Sequence, residues 1–184
     1  MQLLKKNCKV ELHNKIADFA SKSNARLTIY TSSTSAYNDD EKVVIEEHAS
    51  ANNFTVKLEN FYSAKIQNLV IARFGGLYGP NRNPGKFLAG KTGLQKPNAP
   101  INMTHLEDAI QAISCFVTSN KIGIYNVVAP KHPSRKEFYT SQAQKENLTP
   151  PVFDELDLSS GKIVSSEKLI NEFNFKFIHP DPMI

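Results

Sequence analysis

Apolar residues recur along this chain at two periods, and the alternation between them predicts its elements. Leu12, Ile16, Phe19 and Ala20 stand three and four residues apart, the spacing of one helical face, so a helix is predicted over about residues 9–23. Residues 26–31 (RLTIYT) read as a strand, and the hydroxyl-rich stretch from Ser32 to Asp40 as a loop leaving that strand's carboxyl end. A helix follows over 53–65. The nearly unbroken apolar run QNLVIARF (67–74) then has the character of a parallel strand buried on both faces. Residues 75–101 hold six of the eight glycines and four prolines, which predicts a long loop, and long loops in compact domains carry function. Thr104 and Glu107 have capping-box spacing ahead of Leu106, Ala109, Ile110, Ile113 and Val117, giving a helix to about Asn120. A strand at 122–128, a second capping box (Ser134, Glu137) opening a helix to about Asn147, and a short helix beginning over 167–173 complete the pattern. Helix and strand alternate throughout, which defines an α/β protein with a parallel sheet.

Length and composition set the class. With 184 residues, 40% hydrophobic and 22% charged, the chain suits one domain or at most two small ones. It has no run of eighteen apolar residues, and its start (MQLLKKNCKVELHNK) lacks the apolar core and cleavage site of a signal peptide. A cytoplasmic protein with no membrane partner is therefore expected. Cys8 and Cys115 can form no disulfide framework and stand in no zinc-like spacing, so both are expected to be inert thiols and no metal is assigned.

Charge changes the picture only when read by segment. The net charge is +4, but residues 31–60 carry two basic and six acidic groups, whereas 61–100 carry six basic groups and no acid. The basic loop can focus field on an anionic ligand. Aromatic residues are not interleaved with these charges, so no nucleic-acid partner is expected.

Three local motifs bear on chemistry. Residues 85–92 (GKFLAGKT) match the phosphate-binding pattern GxxxxGK[ST], but no strand stands directly before them, and Gly93, Pro97 and Pro100 forbid a long helix after them. The match is read as accidental. Thr31 to Ser35 cluster where a parallel strand ends, the place where open α/β sheets bind ligands. Their hydroxyls either hold a substrate oxygen or satisfy loop backbone, and residue type alone favours the second. His105 and Asp108 have the i, i+3 spacing of a metal pair, although Asp108 reads better as favourable charge in a helix's first turn.

Three ordered segments carry a family resemblance: Ile29 to Tyr37 (IYTSSTSAY), Arg73 to Pro80 (RFGGLYGP) and Asn102 to Ala109 (NMTHLEDA). Together they resemble the NAD-dependent epimerase/dehydratase family, the extended branch of the short-chain dehydrogenase/reductases. The likeness covers residues 26–182 and is greatest to atypical bacterial members, which share a YGP turn, a PG[RK]FLAGK loop (here residues 84–91) and an APxNxxHLxD segment (here residues 99–108). It implies a partial Rossmann-like parallel sheet with a small C-terminal substrate-domain-like part. Residues 1–184 would form a single domain, with 1–80 a remnant of the Rossmann half and 81–184 a mixed substrate-binding part with returning strands. Ser33 would hold the substrate's reacting oxygen as the catalytic hydroxyl. Ser32, Gly76, Leu77 and Tyr78 would border the cofactor, NAD or NADP, while Arg82, Lys86, Lys91 and His105 would face a small, anionic substrate such as a sugar nucleotide.

The sequence departs from that family in three places. The Gly-rich turn GxGxxG is absent, so the first mononucleotide-binding half is expected to be missing and the protein truncated. None of the six tyrosines is followed by lysine four residues on, so the YxxxK acid/base pair is also absent. Gly76 stands where the family has a substrate-binding Asn, and Ile101 where an Arg is common. Two readings follow: an NAD(P)-linked epimerase, dehydratase or reductase, or a non-catalytic binding or remnant protein that has lost its cofactor. The first strand is expected to have an unpaired edge, open to a homodimer or to a chain that supplies the missing half.

Overall fold

The apolar run around Ile71 forms the central strand of a parallel sheet, and everything else is arranged about it. The structure, a computed structural model, describes the backbone of residues 2–39 and 42–184 and the side chains of these from residue 10 onward, so Cys8 and Asp40 lie outside the described side chains. In chain order the elements are α1 (Gln2–Lys22), β1 (Thr28–Ser33), a 3-10 turn (Thr34–Ala36), β2 (Val43–Val44), a second 3-10 turn (Glu46–His48), α2 (Phe54–Ser63), β3 (Leu69–Phe74), β4 (Gly76–Tyr78), α3 (Gly85–Leu88), β5 (Met103–His105), α4 (Leu106–Thr118), β6 (Gly123–Val127), α5 (Arg135–Lys145), β7 (Ile163–Val164) and α6 (Glu167–Phe173). The main sheet has the order β1-β3-β6, all parallel, with Thr28 opposite Leu69 and Val70 opposite Gly123. Two short parallel pairs, β2-β7 and β4-β5, lie outside it. The α/β class is as the sequence predicts, and among the described residues no helix is long and apolar enough to cross a membrane.

Every residue of β3 is buried, which is why its sequence lacks alternation. On one face Val70, Ala72 and Phe74 pack with Ala109, Ala112 and Phe116 of α4 and with Leu169 of α6. Phe116 stacks on Tyr125 at 5.4 Å and meets Phe173 edge-on at 5.3 Å. On the other face Leu69 and Ile71 pack with Tyr62 of α2 and Ala17 of α1.

Four expectations need correction. β1 starts and ends two residues later than predicted, because Thr28 N donates to Asn68 O and the pairing then runs on through Ser33. The Thr104 capping box does not form: residues 103–105 pair as β5, and His105 Nδ1 caps α4 by accepting from Glu107 N at 3.2 Å. The loop at 75–101 contains β4 and the one-turn α3. The apolar row of α1 is divided, with Leu12, Ile16 and Phe19 exposed and only Ala20 packing, partly buried, beside the fully buried Ala17.

A buried polar network ties these layers together. Arg73 on β3 is 1% exposed and makes a two-pronged contact with Glu59 of α2, donating from Nε to Oε1 at 2.9 Å and from Nη2 to Oε2 at 2.6 Å. Its Nη1 donates to Tyr37 Oη and to the Glu46 carbonyl, and Tyr37 Oη donates to Asn126 on β6 at 2.7 Å. Removing one partner leaves a buried charge alone, so Glu59→Ala should lower unfolding free energy by about 3–5 kcal/mol. Removing the exposed Lys136–Glu155 pair should cost less than about 1 kcal/mol. Urea unfolding of the two variants checks this, and equal small losses would contradict it.

Candidate functional site

β1 and β3 end side by side, and the chain leaves each of them through small polar residues. After β3, Gly75 and Gly76 let β5 approach closely: a Cβ on Gly75 would lie 2.5 Å from the Asn102 carbonyl. Gly75 N donates to Thr104 Oγ1 at 3.0 Å and Gly76 N to Asn102 O at 2.7 Å, which anchors the turn. Between this turn and the end of β1 lies a cleft of about 290 Å³ lined by Thr31, Ser32, Ser33, Gly76, Leu77 and Arg82. Thr31, Phe74, Leu77 and Arg82 also border an adjoining apolar cleft of about 410 Å³, completed by Tyr78, Leu106, Ile110 and Ile113. A larger depression of about 520 Å³ lies at the opposite, amino ends of the strands. In an open α/β sheet the carboxyl ends are where ligands bind, so the two adjoining clefts are the candidate site.

The polar groups of the cleft differ in how far they are committed. Ser33 Oγ accepts from Ser35 N at 3.1 Å, which leaves its own proton to donate. Ser32 Oγ instead donates to Glu59 Oε1 at 2.5 Å, so that hydroxyl belongs to the buried network behind the cleft. Arg82 is held by its Nε donating to Leu77 O at 2.7 Å and lies over the Phe87 ring, with its Nη groups making no hydrogen bond among the described residues. Tyr78 is nine-tenths buried, yet its hydroxyl has no hydrogen-bond partner among the described residues. Burial, with the negative charge of Asp108 and Asp181, pushes this hydroxyl's pKa up to about 12, so it stays protonated at neutral pH.

Other sequence-selected residues lie outside the clefts. Lys86 and Lys91 are exposed and line neither. The P-loop-like string does not cradle phosphate: Gly85 opens the four-residue α3, and its own Cβ position is closed by the Gln142 carbonyl at 2.4 Å. His105 packs edge-on against Tyr78 at 5.0 Å, behind the site. Asp108 is buried and accepts from the backbone N–H of Ile178 at 2.6 Å, fastening the C-terminal segment rather than pairing with His105. Cys115 is half-buried, and burial pushes its thiol pKa up, as suits an inert thiol.

Two features escaped the sequence reading. His179 lies against His105 with ring centres 3.6 Å apart and the rings tilted by 41°, and its Nε2 lies 2.7 Å from Glu107 Oε2. These three side chains could bracket a cation, but His105 Nδ1 is engaged as the cap of α4, and the positive end of that helix opposes a cation. The second feature is the tie between α2 and the serine-rich turn: Asn53 caps that helix by accepting from Thr55 N at 2.8 Å and donates to Ser35 O at 2.7 Å. Tyr37, four residues after Ser33, is buried against Arg73.

No protein-family model matches the chain. Among solved structures it is similar to a conserved protein of unknown function from Silicibacter pomeroyi (TM-score 0.73, 22% identity, covering 95% of this chain and 68% of that one). It is likewise similar to human epimerase family protein SDR39U1 with NADPH (TM-score 0.71, 16% identity, 94% and 68% covered) and to the Bordetella bronchiseptica enzyme WbmG in complex with NAD and UDP (TM-score 0.68, 14% identity, 89% and 59% covered). These likenesses show the fold: a Rossmann-like α/β fold shared with epimerase structures of the extended short-chain dehydrogenase/reductase type. Among curated proteins, Protein YeeZ of Escherichia coli is 38% identical over 164 residues, 85% of this chain; the chain spans 60% of the length of that relative.

The unpartnered Tyr78 hydroxyl gives a direct test. Tyr78→Phe should change stability at pH 7 by no more than about 1 kcal/mol, because no hydrogen bond is lost. The folded-state pKa is above the ordinary 10, so the folded protein holds this proton more tightly and wild-type stability falls as pH rises from about 10 to about 12. The variant should lose that part of the fall, as denaturant titrations at pH 8 and pH 11 would show.

Proposed function

We propose that the paired clefts are the substrate side of an NAD(P)-linked epimerase, dehydratase or reductase site for a small anionic substrate, with sugar nucleotides in that class. The supporting observation is the convergence of Ser33, Gly76, Leu77 and Arg82, from separate segments, on one cleft at the carboxyl ends of β1 and β3. Ser33 donates a hydrogen bond to the substrate's reacting oxygen, and Arg82 holds its anionic part. The apolar wall of Leu77, Tyr78 and Ile110 suits a nicotinamide ring, whose bound form would supply hydride transfer. The described residues offer no Gly-rich turn for the pyrophosphate, so this wall is only part of a dinucleotide site.

A second reading is a binding protein without catalysis. It is favoured by the absence of any carboxylate, histidine or tyrosine hydroxyl among the groups lining the smaller cleft.

On either reading the chain alone should bind NAD(H) and NADP(H) weakly. A calorimetric dissociation constant in the low micromolar range, about −8 kcal/mol, would contradict this. UDP serves as an anionic probe: Arg82→Ala should weaken it several-fold at low salt and less at high salt, as screening requires, while Lys91→Ala should leave it unchanged. Equal effects of both substitutions would count against the assigned cleft. Ser33→Ala separates the two readings once a turnover assay exists, since only an enzyme loses turnover by about a hundredfold or more with its fold intact.

A further inference from the structure

Residues 178–183 lie against the molecule without a strand or helix of their own. Phe175 and Phe177 just before them still pack in the main core, but from Ile178 to Met183 the backbone makes one hydrogen bond to backbone outside the segment among the described residues, Lys131 N donating to Pro180 O at 3.1 Å. Side chains supply the other ties. Gln142 Nε2 donates to Pro182 O, Lys145 Nζ to Met183 O, and Lys131 Nζ pairs with Asp181 at 3.2 Å; both lysines are exposed, so their contacts are weak. The firmer hold is at the start of α4. There the buried Asp108 accepts from the N–H groups of Ile178 at 2.6 Å and His179 at 3.2 Å, and the His179 ring lies against His105.

That ring pair fits one protonation state. His105 Nδ1 accepts from Glu107 N at 3.2 Å, so this nitrogen carries no proton and the ring is neutral, with its proton on Nε2. Glu107 Oε2 serves both rings, at 2.7 Å from His179 Nε2 and 3.9 Å from His105 Nδ1. Protonating His105 takes the acceptor away from the first turn of α4, places a cation at that helix's positive end, and sets two imidazole rings in competition for one carboxylate. The groups that face His105 are Glu107 and Asp108 from α4, His179 from the C-terminal segment and Tyr78 from β4, while Asp181 beyond them is paired with Lys131. Both Asp108 oxygens are already taken by backbone N–H groups. Burial and the neighbouring His179 outweigh the two carboxylates and hold the His105 pKa below its ordinary 6.5.

We infer that residues 178–183 form an acid-released latch, which the neutral His105–His179 pair holds closed and which protonation of His105 lets lift. Because the folded protein resists that proton, the closed state is at full strength above pH 6.5 and weakens as the pH falls below it. The latch covers a particular place. Met183 packs with Tyr78, Ile101, Met103 and Phe138, and Tyr78 also lines the apolar cleft, so lifting the segment removes support from behind that wall. Control of the cleft in this way rests on the proposed site, whereas the latch itself is read without any ligand.

Amide hydrogen exchange of the full chain, corrected for the intrinsic effect of pH, provides the test. Between pH 7.5 and pH 5 the protection of Ile178 and His179 should fall by at least about fivefold, while that of Ile71 in β3 is kept. His105→Asn retains a capping acceptor that does not titrate, so in this variant the same fall should be less than about twofold. Protection that persists to pH 5 in the wild type, or that is lost equally in His105→Asn, overturns the inference. A second measurement needs no variant: ring nitrogen shifts at pH 7.5 should show His105 with its proton on Nε2, and a proton on Nδ1 overturns the inference as well. UDP separates the latch from the cleft. If the latch opens while wild type and His105→Asn keep the same ratio of UDP affinities at pH 5 as at pH 7.5, the latch stands and its control of the cleft falls; a latch that fails to open leaves the effect of Arg82→Ala on UDP as the measure of the cleft.

Discussion

The two-pronged contact between Arg73 and Glu59 is the constraint on which the site depends. Arg73 stands one residue before the end of β3, and the residues on either side of it, Ala72 and Phe74, belong to the apolar core on the opposite face of the sheet. Its guanidinium therefore enters the layer between β3 and α2, where Glu59, Tyr37 and the Glu46 carbonyl satisfy its donors. Glu59 in turn accepts from Ser32, so one carboxylate fixes the end of β1, the end of β3 and the helix behind them. Such a cluster is costly to desolvate and contributes less to net stability than to a single arrangement of its neighbours. What it arranges here is the spacing of the two strand ends that form the cleft.

From that spacing the distribution of chemistry follows. Ser32 is spent on the scaffold, and Ser33, pointing to the other side by strand alternation, is left with a proton to donate into the cleft. The double glycine lets β5 close the back of the site, and Arg82 is brought in by the loop that follows β4. The unpaired Tyr78 hydroxyl is the one buried side-chain polar atom without a partner among the described residues, at the junction of the apolar cleft with Asp108 and Asp181. A buried donor left unsatisfied is expected where a ligand completes the bonding.

Much of this was legible in the sequence, for identifiable reasons. β3 declares itself by an apolar run broken only at Arg73, β6 by the mainly apolar segment 122–128, and Ser134 with Glu137 forms the capping box its spacing predicts. The grouping of Ser33, Gly76, Leu77 and Arg82 was reached through the order of three motifs, and the structure brings those residues to one cleft. Lys86 and Lys91 come from the basic loop that the resemblance turns toward an anion, but the charge of a loop says nothing of where each side chain points, and both line neither cleft. The Thr104 cap failed because a local pattern competed with strand pairing to β4, a contact 27 residues away in sequence for the Leu77 and Thr104 pair. His179 was invisible because it meets His105 only through the fold of the C-terminal segment. The α1 face was misjudged because periodicity identifies an apolar row without saying whether this chain covers it.

The most direct test of where ligands bind is amide chemical-shift mapping of the full chain titrated with UDP. The account predicts saturable shifts confined to the amides of Thr31 to Ser33 and Gly75 to Tyr78, with the Arg82 side chain following the same curve. Shifts centred on Gln67 and Asn68 at the opposite end of the strands, or on Gly90 to Thr92 in the P-loop-like string, would contradict it.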